Sequence, residues 1–168
     1  MSQLPPDHSD VNVSAEIPDW SRERIVRFWE PGKKLIRAIR RYQAARQKPG
    51  ALADLTAKYW VMSHWFWSLV TQCDIPLNTQ IGGGLRLPHP QGIVINPNGS
   101  IGPNCMIFHQ VTLTGGVNVG GHVDFGAGCK VIGPVTVGDH VTIGANAVVT
   151  KDLPSDCAAM GVPAKVRE

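Results

Sequence analysis

The chain has 168 residues, of which 43% are hydrophobic, and its formal net charge is +3. That length predicts one domain with an appended element. The 18 glycines and 13 prolines are high for a helical protein and suit a fold built from turns, and no stretch approaches the length of a membrane-spanning helix.

The four cysteines lack the paired spacing that metal sites use; they are Cys73, Cys105, Cys129 and Cys157. We therefore expect reduced thiols and a cytoplasmic protein. The N-terminus has no basic stretch followed by an apolar one, so it does not resemble a secretory signal.

The first 73 residues differ in character from the rest. Residues 1–18 are polar and contain proline, which predicts a flexible tail. Residues 19–73 form a predicted helical segment with helices at 20–30, 33–48 and Ala51–Thr71. The Pro31-Gly32 and Pro49-Gly50 pairs are expected to end the first two. The third helix has apolar residues at helical spacing, which predicts a packed face: Leu52, Leu55, Tyr59, Met62, Phe66 and Leu69.

Residues 20–50 are strongly basic, with ten Lys and Arg against two Glu. Such a run is most often a solvated helix face, here expected beside a trimer. The alternatives are a membrane surface, nucleic acid or an acidic partner. We predict no nucleic-acid partner and do not favour membrane contact through the helix at 33–48.

A repeat of six residues runs through the second half of the chain. Large apolar residues occupy its first position: Ile95, Ile101, Ile107, Leu113, Val119, Phe125, Val131, Val137, Ile143 and Val149. A mostly small or aliphatic residue follows four places later in each unit. Ile75, Ile81 and Leu87 extend the spacing upstream, with Ile93-Val94 as a two-residue insertion. Such a repeat predicts a left-handed parallel β-helix of just over four coils at 74–154, with a C-terminal cap at 155–168.

Three hexapeptides close one coil, so units three apart lie above one another. The third residues of the units that begin at 87, 107, 125 and 143 form one column: His89, His109, Ala127 and Ala145. Imidazoles at one end and methyl groups at the other suit a thin flexible chain, such as a pantetheine arm, beside a reactive group.

His122 and His140 form a second stacked pair on another edge. A position at a surface corner is enough to explain them without a functional role. A metal site shared across a trimer would need three converging histidines, with His89, His109 and His122 as candidates. No ligand spacing accompanies these residues, so we predict no metal.

The segments CDIPLNTQIGGGLRLPHPQGIVINP, IGPNCMIFHQVTLTGG and FGAGCKVIGPVTVGDHVTIGANAVVTKDLPSDCAAMGVPAKV resemble the bacterial serine O-acetyltransferase group of hexapeptide-repeat acyltransferases. The resemblance covers residues from about 59 to 166. It implies acetyl-CoA as co-substrate, direct acetyl transfer without an acyl-enzyme, and a homotrimer with active sites between subunits.

The resemblance also implies roles for individual residues. His89 matches the catalytic histidine and Asp74 its carboxylate partner, an arrangement in which the imidazole removes the acceptor hydroxyl's proton and the carboxylate orients the ring. The positions expected to bind CoA are Gly115, Ala127 and Ala145 along its channel, with Lys165 and Arg167 at its phosphates.

Three departures concern the acceptor. Pro88 stands where the family usually has Asp before the catalytic histidine, and the repeat passes from Thr112 to Val117 without the family's substrate loop and its second histidine. The N-terminal helical domain is also shorter. Because a zwitterion needs compensating charges, Pro88 and the shorter loop favour a bulkier neutral acceptor, with His109 contributing to its site.

These features predict an acetyl-CoA-dependent O-acetyltransferase that acts on serine or on a sugar hydroxyl. The alternative is a saccharide O-acetyltransferase of surface polysaccharide biosynthesis. A hypothesis of another class is a non-catalytic β-helix scaffold that docks a partner through its basic helix.

Overall fold

The structure, a computed structural model, describes residues 13–167. A 3-10 helix at Trp20–Glu23 precedes two α-helices, α1 at Pro31–Arg46 and α2 at Ala51–Thr71. The described residues then form thirteen short strands: β1 (Gln80–Ile81), β2 (Val94–Ile95), β3 (Ser100–Ile101), β4 (Met106–Ile107), β5 (Thr112–Thr114), β6 (Val117–Val119), β7 (Asp124–Phe125), β8 (Lys130–Ile132), β9 (Val135–Val137), β10 (Thr142–Ile143), β11 (Val148–Val149), β12 (Ala158–Met160) and β13 (Lys165–Arg167).

The strands build the sides of a parallel β-helix, as the repeat predicts. Side 1 contains β1, β3, β6 and β9; side 2 contains β4, β7, β10 and β12; side 3 contains β2, β5, β8 and β11. Strand β13 folds back antiparallel on β12 and closes the end of side 2. Each strand pairs with its counterpart in the next coil, so the backbone hydrogen bonds of one coil are satisfied by its neighbours.

The residues at the first position of the repeat fill the interior, which confirms their predicted direction. From Ile95 to Val149 they are 0–5% exposed. The small positions that hold Cys105 and Cys129 are equally closed, at 0%. Burial on this scale stabilises the coils through the removal of apolar area from water.

The register locates the two-residue insertion more accurately than the sequence does. Arg86 pairs with Met106, twenty residues on, whereas Val94 pairs with Thr112, eighteen residues on. The extra residues therefore lie in the turn at 87–92. The prediction that Ile93-Val94 form the insertion is wrong, because Ile93 is fully buried in the core and Val94 is a strand residue.

The predicted helix at 20–30 is also wrong, since only the 3-10 helix at Trp20–Glu23 forms there. The Glu30 carboxylate accepts the backbone N–H groups of Val26 and Arg27 and turns the chain. Pro31 begins α1 instead of ending a helix, because proline has no N–H to lose in the first turn and its φ suits a helix start.

Helix α2 has the predicted bounds, but its apolar face is open. The six apolar residues from Leu52 to Leu69 named above are 49–78% exposed. Only Ala57 and Thr71 of this helix are buried. The helical spacing is therefore present, but no surface formed by residues 13–167 covers it. No helix in the described residues is long and apolar enough to cross a membrane.

Hydrogen bonds attach the segment before α1 to the β-helix. The buried Asn104 side chain accepts from the Asp19 N–H and donates to the carbonyls of Ser14 and Ile17, at 2.7–2.8 Å. The Glu23 carboxylate accepts from the Gly84 N–H at 2.8 Å. Of the tail predicted at 1–18, residues 1–12 lie outside the described part of the chain.

Candidate active site

His89 lies in the turn at 87–92, at the corner where side 2 passes into side 3. This corner contains the two extra residues. Gly92 has a φ of 64° and the Gln91 N–H donates to the His89 carbonyl at 2.8 Å, so the turn is closed tightly. The His89 side chain is exposed, and the insertion therefore places an imidazole at the surface of the corner.

The predicted column is present only in part at this corner. The Gln110 N–H donates to the Gln91 carbonyl at 2.7 Å, so the backbone register places Gln91, not His89, below His109, because the two extra residues shift His89 out of the column. The His89 and His109 rings lie 6.3 Å apart between centroids, with their planes at 78°. Above them, the Gly128 N–H donates to the His109 carbonyl and the Asn146 N–H to the Ala127 carbonyl, both at 2.9 Å. The two alanines thus continue the edge on which His109 lies, and it has only methyl side chains there.

Asp74 lies on side 3, one coil below Val94 and close to the start of that side. Its N–H donates to the Ile93 carbonyl and its own carbonyl accepts from the Ile95 N–H. Within residues 13–167 no hydrogen bond or ion pair joins the Asp74 carboxylate to the His89 imidazole. Their pairing stays a prediction.

The remaining positions predicted to bind CoA fall in two other places. Gly115 lies at the far edge of side 3, at a φ of 83° and so close to the next coil that an added Cβ would lie 2.1 Å from the Gly133 oxygen. Lys165 and Arg167 are exposed on β13, at the end of side 2. The structure thus brings Ala127 and Ala145 together, but not Gly115.

A cavity of about 460 Å³ lies beside Pro88, between the start of α1 and the turn at 87–92. Its walls include Trp29, Lys33 and Arg86 as well as Pro88 and Pro90, the two neighbours of His89. A larger cavity, about 740 Å³, lies between the C-terminal half of α1 and strands β1 and β3. The smaller one is the better candidate for an acceptor because it adjoins the histidine.

Charges in the smaller cavity are unevenly paired. Glu30 lies 2.7 Å from the Lys33 ammonium, and the hydrogen bond from Lys33, followed by that from the Arg27 N–H, lowers the pKa of the Glu30 carboxyl to about 2. Glu30 is thus ionised and paired at neutral pH. The Arg86 guanidinium has no hydrogen-bond or ion-pair partner in the described part of the chain.

Sequence reasoning missed Trp29, Lys33, Arg86 and Phe108. The Phe108 ring lies 6.2 Å from the His89 ring, between centroids. The sequence could have indicated Arg86, which stands two residues before Pro88. It directly precedes Leu87, whose side chain points inward, so the Arg86 side chain is expected to point outward. None existed for Trp29 and Lys33, because only the packing of α1 against the first coil brings them to the corner.

No protein-family model matches the chain. The serine acetyltransferase of Mycobacterium tuberculosis is 34% identical over 128 residues, which cover 62% of this chain and 56% of the relative. That of Helicobacter pylori J99 is 42% identical over 104 residues, 57% of this chain and 61% of the relative.

Solved structures agree. A serine acetyltransferase in complex with CoA matches with a TM-score of 0.70 and 29% identity, over 83% of this chain and 57% of the other. The Neisseria gonorrhoeae serine acetyltransferase in complex with serine matches with a TM-score of 0.69 and 28% identity, over 82% and 57%. The chain is similar to serine acetyltransferases in sequence and in fold. The predicted resemblance is thus confirmed, and the chain spans about half the length of the curated relatives it matches.

Proposed function

We propose that this protein is an acetyl-CoA-dependent O-acetyltransferase of the serine acetyltransferase type. The observation that carries the proposal is the match, over most of the chain, to a serine acetyltransferase structure in complex with CoA. The His89 corner supports it, because the His89 and His109 rings are neighbours there and the edge above His109 continues with two methyl side chains.

In the proposed reaction His89 acts as general base. Its imidazole takes the proton of the acceptor hydroxyl while the hydroxyl oxygen attacks the thioester carbonyl carbon. An oxygen–carbon bond forms, the carbon–sulfur bond breaks, and the CoA thiolate leaves and takes up a proton, giving free CoA thiol and an acetyl ester. Asp74 is proposed to orient the imidazole and stabilise its cation.

The chain's own residues fit a CoA thioester at three points. Ala127 and Ala145 leave the edge of the column narrow and unobstructed, as a pantetheine arm requires. Gly115 leaves the far edge of side 3 without a side chain. Lys165 and Arg167 are exposed cations at the end of side 2, where phosphates would find charge-assisted hydrogen bonds. A homotrimer that completes the site from a neighbouring chain, and a cytoplasmic location, belong to the same proposal.

Two acceptors are candidates, serine and a saccharide. Serine is favoured by the names of the relatives and by the serine complex. A saccharide is favoured by this chain's own structure, in which strands β5 and β6 are separated by only two residues. A substrate loop is therefore absent between Thr114 and Val117, which leaves the far edge of side 3 open to a bulkier acceptor. Pro88 and His109 are the proposed acceptor contacts.

Release of CoA thiol from acetyl-CoA, with serine and then with a panel of saccharides, tests the proposal. We expect turnover with one acceptor class and a loss of about 100- to 10,000-fold in His89→Ala, because the general base is removed. His140→Ala is the matched control, since His140 lies on another edge, where its ring pairs with that of His122, with Nδ1 atoms 2.9 Å apart. If none of the acceptors gives thiol release, and His89→Ala therefore loses no activity, a non-catalytic scaffold is supported instead.

A further inference from the structure

The cavity beside Pro88 is built from two parts of the chain that are distant in sequence. One wall is the segment from Trp29 to Lys33 at the start of α1, and the other is the strand and turn from Arg86 to Gln91. His89 lies between two residues of the second wall, Pro88 and Pro90. The cavity is therefore bounded by the turn that carries His89.

Close packing fixes these walls relative to each other. A Cβ added to Gly32 would lie 2.7 Å from the Leu87 oxygen and 3.1 Å from the Leu87 Cβ, so the first turn of α1 rests directly on the turn below it. The Trp29 ring meets the edge of Trp67, with centroids 6.0 Å apart and planes at 64°. Trp29 is held in this way and is still 61% exposed.

The cavity carries an excess of positive charge. Its lining includes three cationic side chains, Arg22, Lys33 and Arg86, and one carboxylate, Glu30. Lys33 is occupied by Glu30 at 2.7 Å and by the Arg24 carbonyl at 2.8 Å. The Arg86 guanidinium is partly buried and has no partner within residues 13–167. A planar, forked cation of this kind suits a carboxylate or phosphate.

We propose that this cavity binds the body of an anionic saccharide, one that carries a carboxylate or a phosphate, and presents one of its hydroxyl groups to His89. The inference rests on the proposed O-acetyltransferase function and names its acceptor class. Arg86 receives the anionic group. The exposed face of Trp29 packs on the apolar C–H face of the sugar ring, as aromatic linings of binding sites do.

The other two acceptor classes fit less well. A neutral saccharide that covered the Arg86 guanidinium would remove water from it without supplying an anionic partner, which is costly. Serine would occupy only a small part of the cavity, and its ammonium would lie in a positive field whose single carboxylate is already paired. The neutral acceptor that Pro88 suggests in the sequence is thus replaced by an anionic one, because Arg86 supplies the charge that Pro88 lacks.

Binding measured by calorimetry, without acetyl-CoA, tests the cavity separately from catalysis. The probes are glucuronic acid, glucose 1-phosphate, glucose and serine. We expect at least one of the two anions to bind about 10-fold or more tightly than glucose and serine, and the comparison of the two distinguishes a carboxylate from a phosphate. Arg86→Gln should lower the affinity for that anion by about 10- to 100-fold, as expected for the loss of a hydrogen bond to a charged group. The affinity for glucose should stay unchanged.

Two further variants complete the test. Arg86→Lys should restore part of the affinity, since it keeps the charge and loses the fork. Arg41→Gln is the matched control, because Arg41 is an exposed arginine of α1 outside this cavity, and it should bind as the parent does. The melting temperature of each variant verifies folding.

The proposal is overturned if neither anion binds measurably, if glucose or serine binds as tightly, or if Arg86→Gln has no effect on the anion. Failure of the proposed function looks different: the anion binds and depends on Arg86, but no CoA thiol is released when acetyl-CoA is added.

Discussion

In the β-helix, the apolar residues at every sixth position from Ile95 to Val149 are 0–5% exposed, whereas those at helical spacing on α2, from Leu52 to Leu69, are 49–78% exposed. Both patterns are regular in the sequence. The difference lies in what covers each pattern. The apolar side chains of a coil point into its interior and are covered by those of the coils above and below, which the same repeat supplies. A helix face needs a separate surface, and α1 covers only a different, narrow part of α2.

A matched pair of leucines tests this contrast most strongly. Leu113 is 2% exposed and Leu55 is 66% exposed. Leu113→Ala should lower the free energy of unfolding by about 2–5 kcal/mol, because it removes buried methyl groups and leaves a cavity. Leu55→Ala should change it by no more than about 0.5 kcal/mol, as at other exposed positions. Urea unfolding at low protein concentration measures both.

A large loss in Leu55→Ala would break the comparison. It would mean that the α2 face is covered in solution, so that the folded chain in isolation is not the species that unfolds. Repeating the titration at higher protein concentration is the control, since stability that depends on association rises with concentration.

The same contrast explains which parts of the molecule could be predicted. The period of six specifies the coil, its interior and the column of His109, Ala127 and Ala145, because each of these follows from counting along the chain. His89 was counted into that column wrongly, since the two extra residues of its turn place Gln91 at that position. The helix at 20–30 was predicted wrongly, because local hydrogen bonds to the Glu30 carboxylate compete with helix formation. The two-residue insertion was also placed wrongly. Ile93 is an apolar residue of the core, and the extra residues lie in the turn before it.

The cavity walls could not be predicted for a different reason. Trp29 and Arg86 meet only because α1 rests on the turn at 87–92, and that contact depends on Gly32, which leaves room for the Leu87 carbonyl. No period or motif in the sequence encodes such a meeting. The functional roles of His89 and Asp74 came from resemblance and remain predictions. His89 lies beside His109 because of the turn at 87–92, and the repeat does not encode that turn.

A second prediction concerns the boundary between the two regions, where polar contacts take the place of apolar packing. Asn104 is 1% exposed, has a φ of 60°, and makes three hydrogen bonds to the segment at 14–19. Asn104→Ala should cost about 2–3 kcal/mol, since it removes three partly buried hydrogen bonds and places alanine at a left-handed φ. Hydrogen exchange should rise at residues 13–23 and stay slow in the strands of the β-helix.

Asn104→Gly is the matched variant, because glycine tolerates the left-handed φ but makes no side-chain hydrogen bonds. Hydrogen exchange at residues 13–23 should rise in both variants. The free energy of unfolding should be lower for Asn104→Ala than for Asn104→Gly, and the difference measures the backbone strain of alanine. Slow exchange at 13–23 in Asn104→Ala would show that apolar contacts hold this segment instead.

The smallest effect is expected from the cysteines, which report how closed each region is. Cys105 and Cys129 are 0% exposed, and burial raises the pKa of each thiol to about 12. Cys157 lies near the C-terminal end and is only partly buried. Because the thiolate is the reactive form, Cys157 should react with Ellman's reagent at pH 8 while Cys105 and Cys129 do not. Both buried thiols should react once denaturant unfolds the coils.

The pH dependence has a definite sign. A folded-state thiol pKa raised from 9.0 to about 12 favours the native state below pH 9, and this contribution is lost as pH rises from 9 toward 12. Stability measured by urea unfolding should therefore fall between pH 8 and pH 10. In Cys129→Ala that fall should be smaller, although the variant is less stable at pH 8. Fast reaction of Cys105 or Cys129 in the native protein at pH 8 would contradict the closed coil, since a thiol with a pKa of about 12 reacts there only after the coil opens.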